Sequence, residues 1–341
     1  MKIAVLSPIA WRTPPEKYGP WEQVASNITE GLVEKGYEVT LFATANSITN
    51  AKLEWVCKLP YEVDKKNDPK VLECLHISHL MEQAHRFDII HNHFDFLPLS
   101  YSGLIKTPMI TTIHGFSSPK ILPVYKKYNA STAYVSISNS DRNKELDYLT
   151  TIYHGLDPKK FTFRKNKKDY LLYFGRIHPH KGAHAAIQIA RKAGFQLKIA
   201  GLIQDEAYFN SEIKPYIDNE NVHYLGNVGP EARDELLGGA KALLHPIFFE
   251  EPFGLSVLEA MMCGTPVIAF KRGSMPELIQ EGKTGFLPKN VSEAVLAIKA
   301  LDKIEPKTCR DHAVKKFSLD TMVNAYIEAY KTVIDNKTIK R

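Results

Sequence analysis

The sequence predicts an α/β protein made of two Rossmann-like βαβ domains. Three observations carry that expectation. A chain of 341 residues has room for two domains of ordinary size. Short apolar runs of strand length alternate with helix-period segments along almost its whole length. One stretch, LLHPIFFEEPFGLSVLEAMMCGTPVIAF at 243–270, spells out a complete strand, loop, helix and strand.

Composition narrows the class further. Hydrophobic residues make up 44% and charged residues 24%, which are globular values. No apolar run reaches the ~18 residues of a membrane span. The opening MKIAVLSPIAW reads as a strand rather than a signal peptide. Cys57, Cys74, Cys263 and Cys309 show no paired spacing, which implies a reducing, cytoplasmic setting without a disulfide framework. The net charge of +6 is uneven. Basic and acidic residues number 16 and 16 over 1–155, but 28 and 22 over 156–341. A basic second half suits an anionic ligand, and equally a peripheral contact with anionic lipid on the inner membrane face. Part of the excess, Lys159, Lys160, Arg164, Lys165, Lys167 and Lys168, reads as a solvated linker. No basic stripe is interleaved with aromatics, so nucleic acid is not an expected partner.

Residues 2–9 read as a buried strand, followed by a proline-rich loop over 11–20. A helix over 21–35 carries Val24, Ile28 and Leu32 on one face and stops at Gly36. The next strand is 37–43. This opening lacks G-x-G-x-x-G, which argues against a dinucleotide dehydrogenase. The helix over 69–86 carries Cys74, His76 and His79 with no further ligand set, so packing rather than metal binding is expected. Strand 88–91 ends in Asn92-His93-Phe94-Asp95, a position open to ligand contact or to plain turn and cap roles. Strand 109–113 ends in His114-Gly115. Strand 133–137 runs into Ser138–Asp141, expected to cap a helix.

The first domain is expected to cover 1–155 and the second 156–317. The second opens with strand 170–174, followed by Gly175-Arg176 and Lys181-Gly182 before a helix. His178, His180 and His184 make no convincing zinc set. Strand 196–201, a helix over 206–216, strand 222–225 and a helix over 230–239 lead to the 243–270 unit. There the apolar strand breaks at Pro246, and Leu255, Leu258 and Met262 recur at helical spacing. Gly264 and Thr265-Pro266 close the helix, and 267–270 is a strand. Short helical signals follow at Pro276-Glu277 and over 291–301. A last helix, 318–335, carries Met322, Tyr326, Ala329, Tyr330 and Val333.

The chemistry concentrates where strands end and helices begin. The first N–H groups of a helix lack intrahelical partners and carry partial positive charge. Gly254 lets an anion approach them, so Phe253, Gly254, Leu255 and Ser256 are candidates for holding a phosphate. Glu259, about a turn further in, is an acceptor pair suited to a vicinal diol such as a ribose. Glu251 lies in the loop at the strand's carboxyl end.

Glu251, seven residues and then Glu259, with Phe253-Gly254 inside and Glu259-Ala260-Met261 at the end, resembles the donor-site signature of family 4 retaining glycosyltransferases of the GT-B fold. Gly175-Arg176, four residues and Lys181-Gly182 is similar to a second motif of that family. The resemblance extends over almost the whole chain. The loop PPEKYGPWE resembles the Tyr-Gly-Gly-Thr-Glu loop of a bacterial branch labelled as UDP-glucose:tetrahydrobiopterin glucosyltransferase-like. Gly19 matches that pattern, whereas Pro20 and Trp21 replace Gly and Thr. Pro20 has no N–H to donate, so Trp21 is assigned to the acceptor side instead, with His93 and Asp95.

The resemblance implies two domains facing across a cleft, with the last helix crossing back to the first. It implies a nucleotide diphosphate sugar as donor, UDP-glucose in preference, with GDP-mannose as rival, and an unidentified hydroxyl acceptor. Arg176 and Lys181 would meet the diphosphate, Glu251 and His114 the sugar, Glu259 the ribose and Val228 the base, while Gly19 would face the phosphates. The chain has no Asp-x-Asp, and neither a metal nor a cofactor is expected. Two other classes stay open: a non-catalytic sugar-nucleotide-binding partner, and an epimerase or phosphorylase of the same fold.

Overall fold

A computed structural model describes residues 1–116 and 118–339, with side chains described to residue 336. The chain forms two compact units, Met1–Gly155 with Leu319–Arg341, and Leu156–Ser318.

The first unit is a seven-stranded sheet flanked by helices. Its elements are β1 (Lys2–Leu6), α1 (Pro20–Glu34), β2 (Glu38–Phe42), β3 (Lys52–Glu54), α2 (Pro69–Glu82), β4 (Ile89–Asn92), β5 (Met109–Ile113), α3 (Leu122–Tyr128), β6 (Ala133–Ser136) and β7 (Tyr148–Thr151). The order is β3-β2-β1-β4-β5-β6-β7, and every pair is parallel. Parallel sheets bury both faces, which is why the central strands read as unbroken apolar runs. Ile3, Val5, Leu41, Ile90 and Ile110 are all inaccessible or nearly so.

The second unit is a six-stranded parallel sheet. It comprises β8 (Tyr170–Phe174), α4 (Ala183–Ala193), β9 (Gln196–Ala200), α5 (Glu206–Tyr208), β10 (Val222–Tyr224), α6 (Pro230–Gly239), β11 (Ala242–His245), α7 (Leu255–Met262), β12 (Val267–Ala269), α8 (Met275–Leu278), β13 (Gly285–Phe286), α9 (Val291–Ile298) and α10 (Pro306–Phe317). Its order is β10-β9-β8-β11-β12-β13. The last helix, α11 (Leu319–Ile339), belongs to the first unit. Asp320 pairs with Lys35 at 2.5 Å, and Met322 Sδ accepts from Gly155 N at 3.1 Å.

In each sheet the strand order reverses once, between β1 and β4 and between β8 and β11. Ligands of open α/β sheets bind outside the carboxyl ends of strands at such points. The loops leaving these four strands carry Trp11–Gly19, His93–Asp95, Gly175–Lys181 and Pro246–Gly254.

Several expected elements differ. No helix follows Ser138–Asp141; the chain turns directly into β7, with Ser138 Oγ accepting from Asp141 N at 3.2 Å. The segment is rich in short polar side chains that bond the backbone locally, as Asn143 Oδ1 does with Glu145 N at 2.9 Å. The helix expected over 206–216 is α5, a π turn over Phe209–Ile213 and a 3-10 turn over Lys214–Tyr216, because Pro215 has no N–H to continue the ladder. The helix expected over 69–86 ends at Glu82 and continues after a break as a 3-10 turn, Ala84–Arg86. The helix expected over 291–301 likewise ends at Ile298. Lys167, expected in a solvated linker, is half-buried. Its Nζ donates to Gly238 O at 2.9 Å and Thr265 Oγ1 at 2.8 Å.

Candidate active site

In the second unit, three side chains converge at the β8–β11 switch. Lys181 Nζ donates to Glu251 Oε2, and His245 Nε2 lies 3.3 Å from the same oxygen. Burial opposes ionisation of Glu251, but Lys181 and His245 outweigh it and hold its pKa at about 2. Burial lowers the pKa of His245, with Glu251 opposing. Lys181 also sits 4.8 Å above the Phe249 ring.

The backbone explains why Lys181 and Glu251 meet. Gly182 has φ +74°, and a Cβ there would stand 2.0 Å from Pro246 O. Only glycine lets the β8 loop rest against the β11 loop so closely. Phe248 N then donates to His180 O at 2.7 Å, and Ser274 N to Glu251 O at 2.9 Å. Arg176, on the same β8 loop, bonds Gln204 Oε1 through Nη1, while Tyr173 OH donates to its carbonyl at 2.8 Å.

Gly254 caps α7 in the left-handed region, with φ 96° and no side-chain cap bond. The N–H groups of Val257 and Leu258 bond Gly254 O, at 3.1 and 3.3 Å. Those of Leu255 and Ser256 lie ahead of them, where a helix has no acceptor of its own to give. Glu251 Cγ is 3.8 Å from the position of a Gly254 Cβ, so the acidic group and the helix mouth are neighbours. Phe253 packs its ring edge-on to Phe317 at 6.1 Å and is 2% exposed, leaving only its backbone for a ligand. Glu259 is buried and does not join Lys181; Arg233 Nη1 lies 3.1 Å from its Oε1. Burial raises the Glu259 pKa and Arg233 opposes the rise. Val228 is half-buried in the loop between β10 and α6.

The first unit brings together His91, His93, His114 and His154, all buried. His93 Nδ1 is 2.9 Å from His114 Nε2, and His114 Nδ1 is 3.4 Å from His154 Nε2. Trp21 stacks on His114, with centroids 5.5 Å apart and planes 20° apart. Both His114 nitrogens are thus engaged and one ring face is covered. His91 bonds Tyr330 OH and Thr112 Oγ1, each at 2.7 Å, and Thr112 Oγ1 meets Tyr326 OH at 2.7 Å. Burial, reinforced by neighbouring imidazoles, holds His91, His93 and His114 well below the ordinary range; burial alone takes His154 to about 3. Asp95, at φ 69°, is apart from this chain and accepts from Tyr125 OH. Gly19 is the N-cap of α1.

Residues 157–316 match the family model described as glycosyl transferases group 1, and residues 21–160 match glycosyltransferase family 4. Together the two matches take in 21–316. The chain belongs to the group 1 and family 4 glycosyltransferases. This transferase is 30% identical over 175 residues to an uncharacterized 41.2 kDa protein in the cps region of Klebsiella pneumoniae, a match covering 49% of this chain and 48% of that one. It is 22% identical to an uncharacterized glycosyltransferase of Methanocaldococcus jannaschii, over 98% of this chain and 99% of that protein. Among solved structures it resembles Anabaena Alr3699/HepE in complex with UDP and glucose, with TM-score 0.73, 20% identity, and 97% and 100% of the two chains covered. The fold of the transferase is GT-B.

Sequence reasoning missed His245, Arg233 and His154 as site neighbours. His245 ends a strand just before Pro246, where a polar residue in an apolar run is itself a signal. Arg233 carried no local signal, because its partner is 26 residues away on another helix.

Proposed function

We propose that this transferase moves a hexose from a nucleotide diphosphate sugar, UDP-glucose in preference, to a hydroxyl acceptor, with retention and without a divalent metal. The second unit holds the donor. Arg176, Lys181 and the α7 N–H groups at Leu255 and Ser256 take the diphosphate, aided by the backbone of Phe253 and Gly254. Glu251 takes the hexose hydroxyls, Glu259 the ribose diol and Val228 the base. On the first unit, Gly19 and His114 serve the donor, and Trp21, His93 and Asp95 the acceptor.

One observation carries the reading: a buried, ionised Glu251 held by Lys181 beside an uncapped helix mouth. As the bond from anomeric carbon to phosphate oxygen breaks, negative charge grows on the leaving diphosphate. Lys181, Arg176 and the helix N-terminus are the positive groups we assign to meeting it. Paired with Lys181 and beside His245, Glu251 is assigned to orienting hydroxyls rather than to acting as base. The acceptor proton then passes to the leaving phosphate oxygen, on the face from which that group departs. The relative described with UDP and glucose supports a UDP-sugar.

The test is thermal stabilisation by UDP, GDP, UDP-glucose and GDP-mannose, followed by turnover with the stabilising donor. Stabilisation by UDP and UDP-glucose, and an axial glucosyl product by NMR, are expected. An inverted product, or no response to any nucleotide, refutes the proposal.

A further inference from the structure

Arg233 lies in the first turn of α6, a few residues after Val228, and reaches across to Glu259 on α7. The ion pair is made through Nη1 at 3.1 Å. The Arg233 Nε is buried and has no hydrogen-bond partner among the described residues. A guanidinium that only braced two helices would have its buried N–H groups met, because leaving one unmet is costly. Glu259 is 7% exposed, and Arg233 is the charged partner that opposes the effect of its burial. The groups acting on each other here are Arg233 from α6, Glu259 from α7 and, one turn along α7, the Cys263 thiol.

We propose that Arg233 is a positioning residue of the nucleoside subsite, holding the Glu259 carboxyl oriented to accept the ribose diol. The inference rests on the assignment of Glu259 to the ribose in the proposed function. Without Arg233 the buried carboxyl takes up a proton, becomes a poorer acceptor, and turns freely. The effect falls on nucleotide binding rather than on the chemical step, since neither residue touches the bond that breaks.

The experiment is calorimetric titration of UDP, and of GDP, into wild type, Arg233→Met, Arg233→Lys, Glu259→Gln and the Arg233→Met/Glu259→Gln double variant. Arg233→Met is expected to bind UDP about ten- to a hundredfold more weakly at pH 7.5. Its loss relative to wild type should deepen as pH falls to 6.5, and Arg233→Lys should recover part of the affinity. In the double variant the loss should be no greater than in Glu259→Gln. If Arg233→Met fails to fold, the double variant, which buries no lone charge, is read against Glu259→Gln alone. Wild-type affinity in Arg233→Met with weakened Glu259→Gln overturns the role of Arg233 and leaves the nucleotide site standing. Fully additive losses overturn it too. If Glu259→Gln also binds like wild type, the ribose assignment itself falls.

Discussion

Acidification to pH 5.5 should destabilise the first unit through its buried histidines. Five of its histidines, His76, His91, His93, His114 and His154, are buried with pKa values held below 6.5. Such a histidine takes its proton only when the chain unfolds. Stability is therefore full above about pH 6.5 and declines as pH falls through that value, until the folded pKa is reached. Two of the folded values, about 4 for His76 and about 3 for His154, lie well below pH 5.5. Between pH 7.5 and 5.5 each histidine costs about 1.4 kcal/mol. Glu22 works the other way. Burial raises its pKa to about 7, so it takes a proton while folded and returns roughly 2 kcal/mol over the same range. The net loss is at most about 5 kcal/mol, a large part of the ~5–15 kcal/mol that holds a domain together. Urea unfolding followed by circular dichroism at pH 7.5, 6.5 and 5.5 measures it, and proton uptake on unfolding at pH 5.5 checks the count at about three to four. A midpoint that stays put across this range refutes the reasoning, because the cluster would then be protonated when folded.

Four further outcomes are expected. Gly182→Ala places a methyl group 2.0 Å from Pro246 O at φ +74°, and should lower stability by about 2–4 kcal/mol and turnover with it; unchanged melting and rate argue against the backbone lock. Glu251→Gln should reduce kcat by ~10²-fold or more with the fold intact, and a near-normal kcat excludes its sugar-orienting role. Lys181→Met leaves Glu251 buried without its ammonium partner, for a stability loss of about 3–5 kcal/mol that Lys181→Met/Glu251→Gln should largely restore on chemical denaturation. Treatment with EDTA should leave turnover unchanged, and activity that returns only on adding magnesium or manganese defeats the metal-independent mechanism.

The strand–loop–helix unit that carries Glu251 was legible because its signals are local. The break at Pro246, Gly254 before a helical run, and the Glu251–Glu259 spacing all lie within one βαβ unit. What escaped is pairing between distant segments. Nothing near Arg233 points to Glu259, and nothing near His154 points to a stack with His114. Among elements, α10 was overlooked because most of it is polar, although Cys309, Ala313 and Phe317 recur every four residues behind a proline at its start. The three-residue β3 and the four-residue β7 sit at the sheet edges, largely uncovered, and so lack the apolar runs that marked the centre. Phe253 was read as part of the phosphate cradle; its ring belongs to the core, a distinction that spacing alone does not make.

The membership of α11 in the first unit has a consequence for biogenesis. Tyr326 and Tyr330, which complete the polar bonds of Thr112 and His91, follow all of 156–318 in the chain. At about 5–20 residues per second on the ribosome, the earlier segment waits on the order of ten seconds or more for them. The first unit is thus completed only after the whole of the second has been translated.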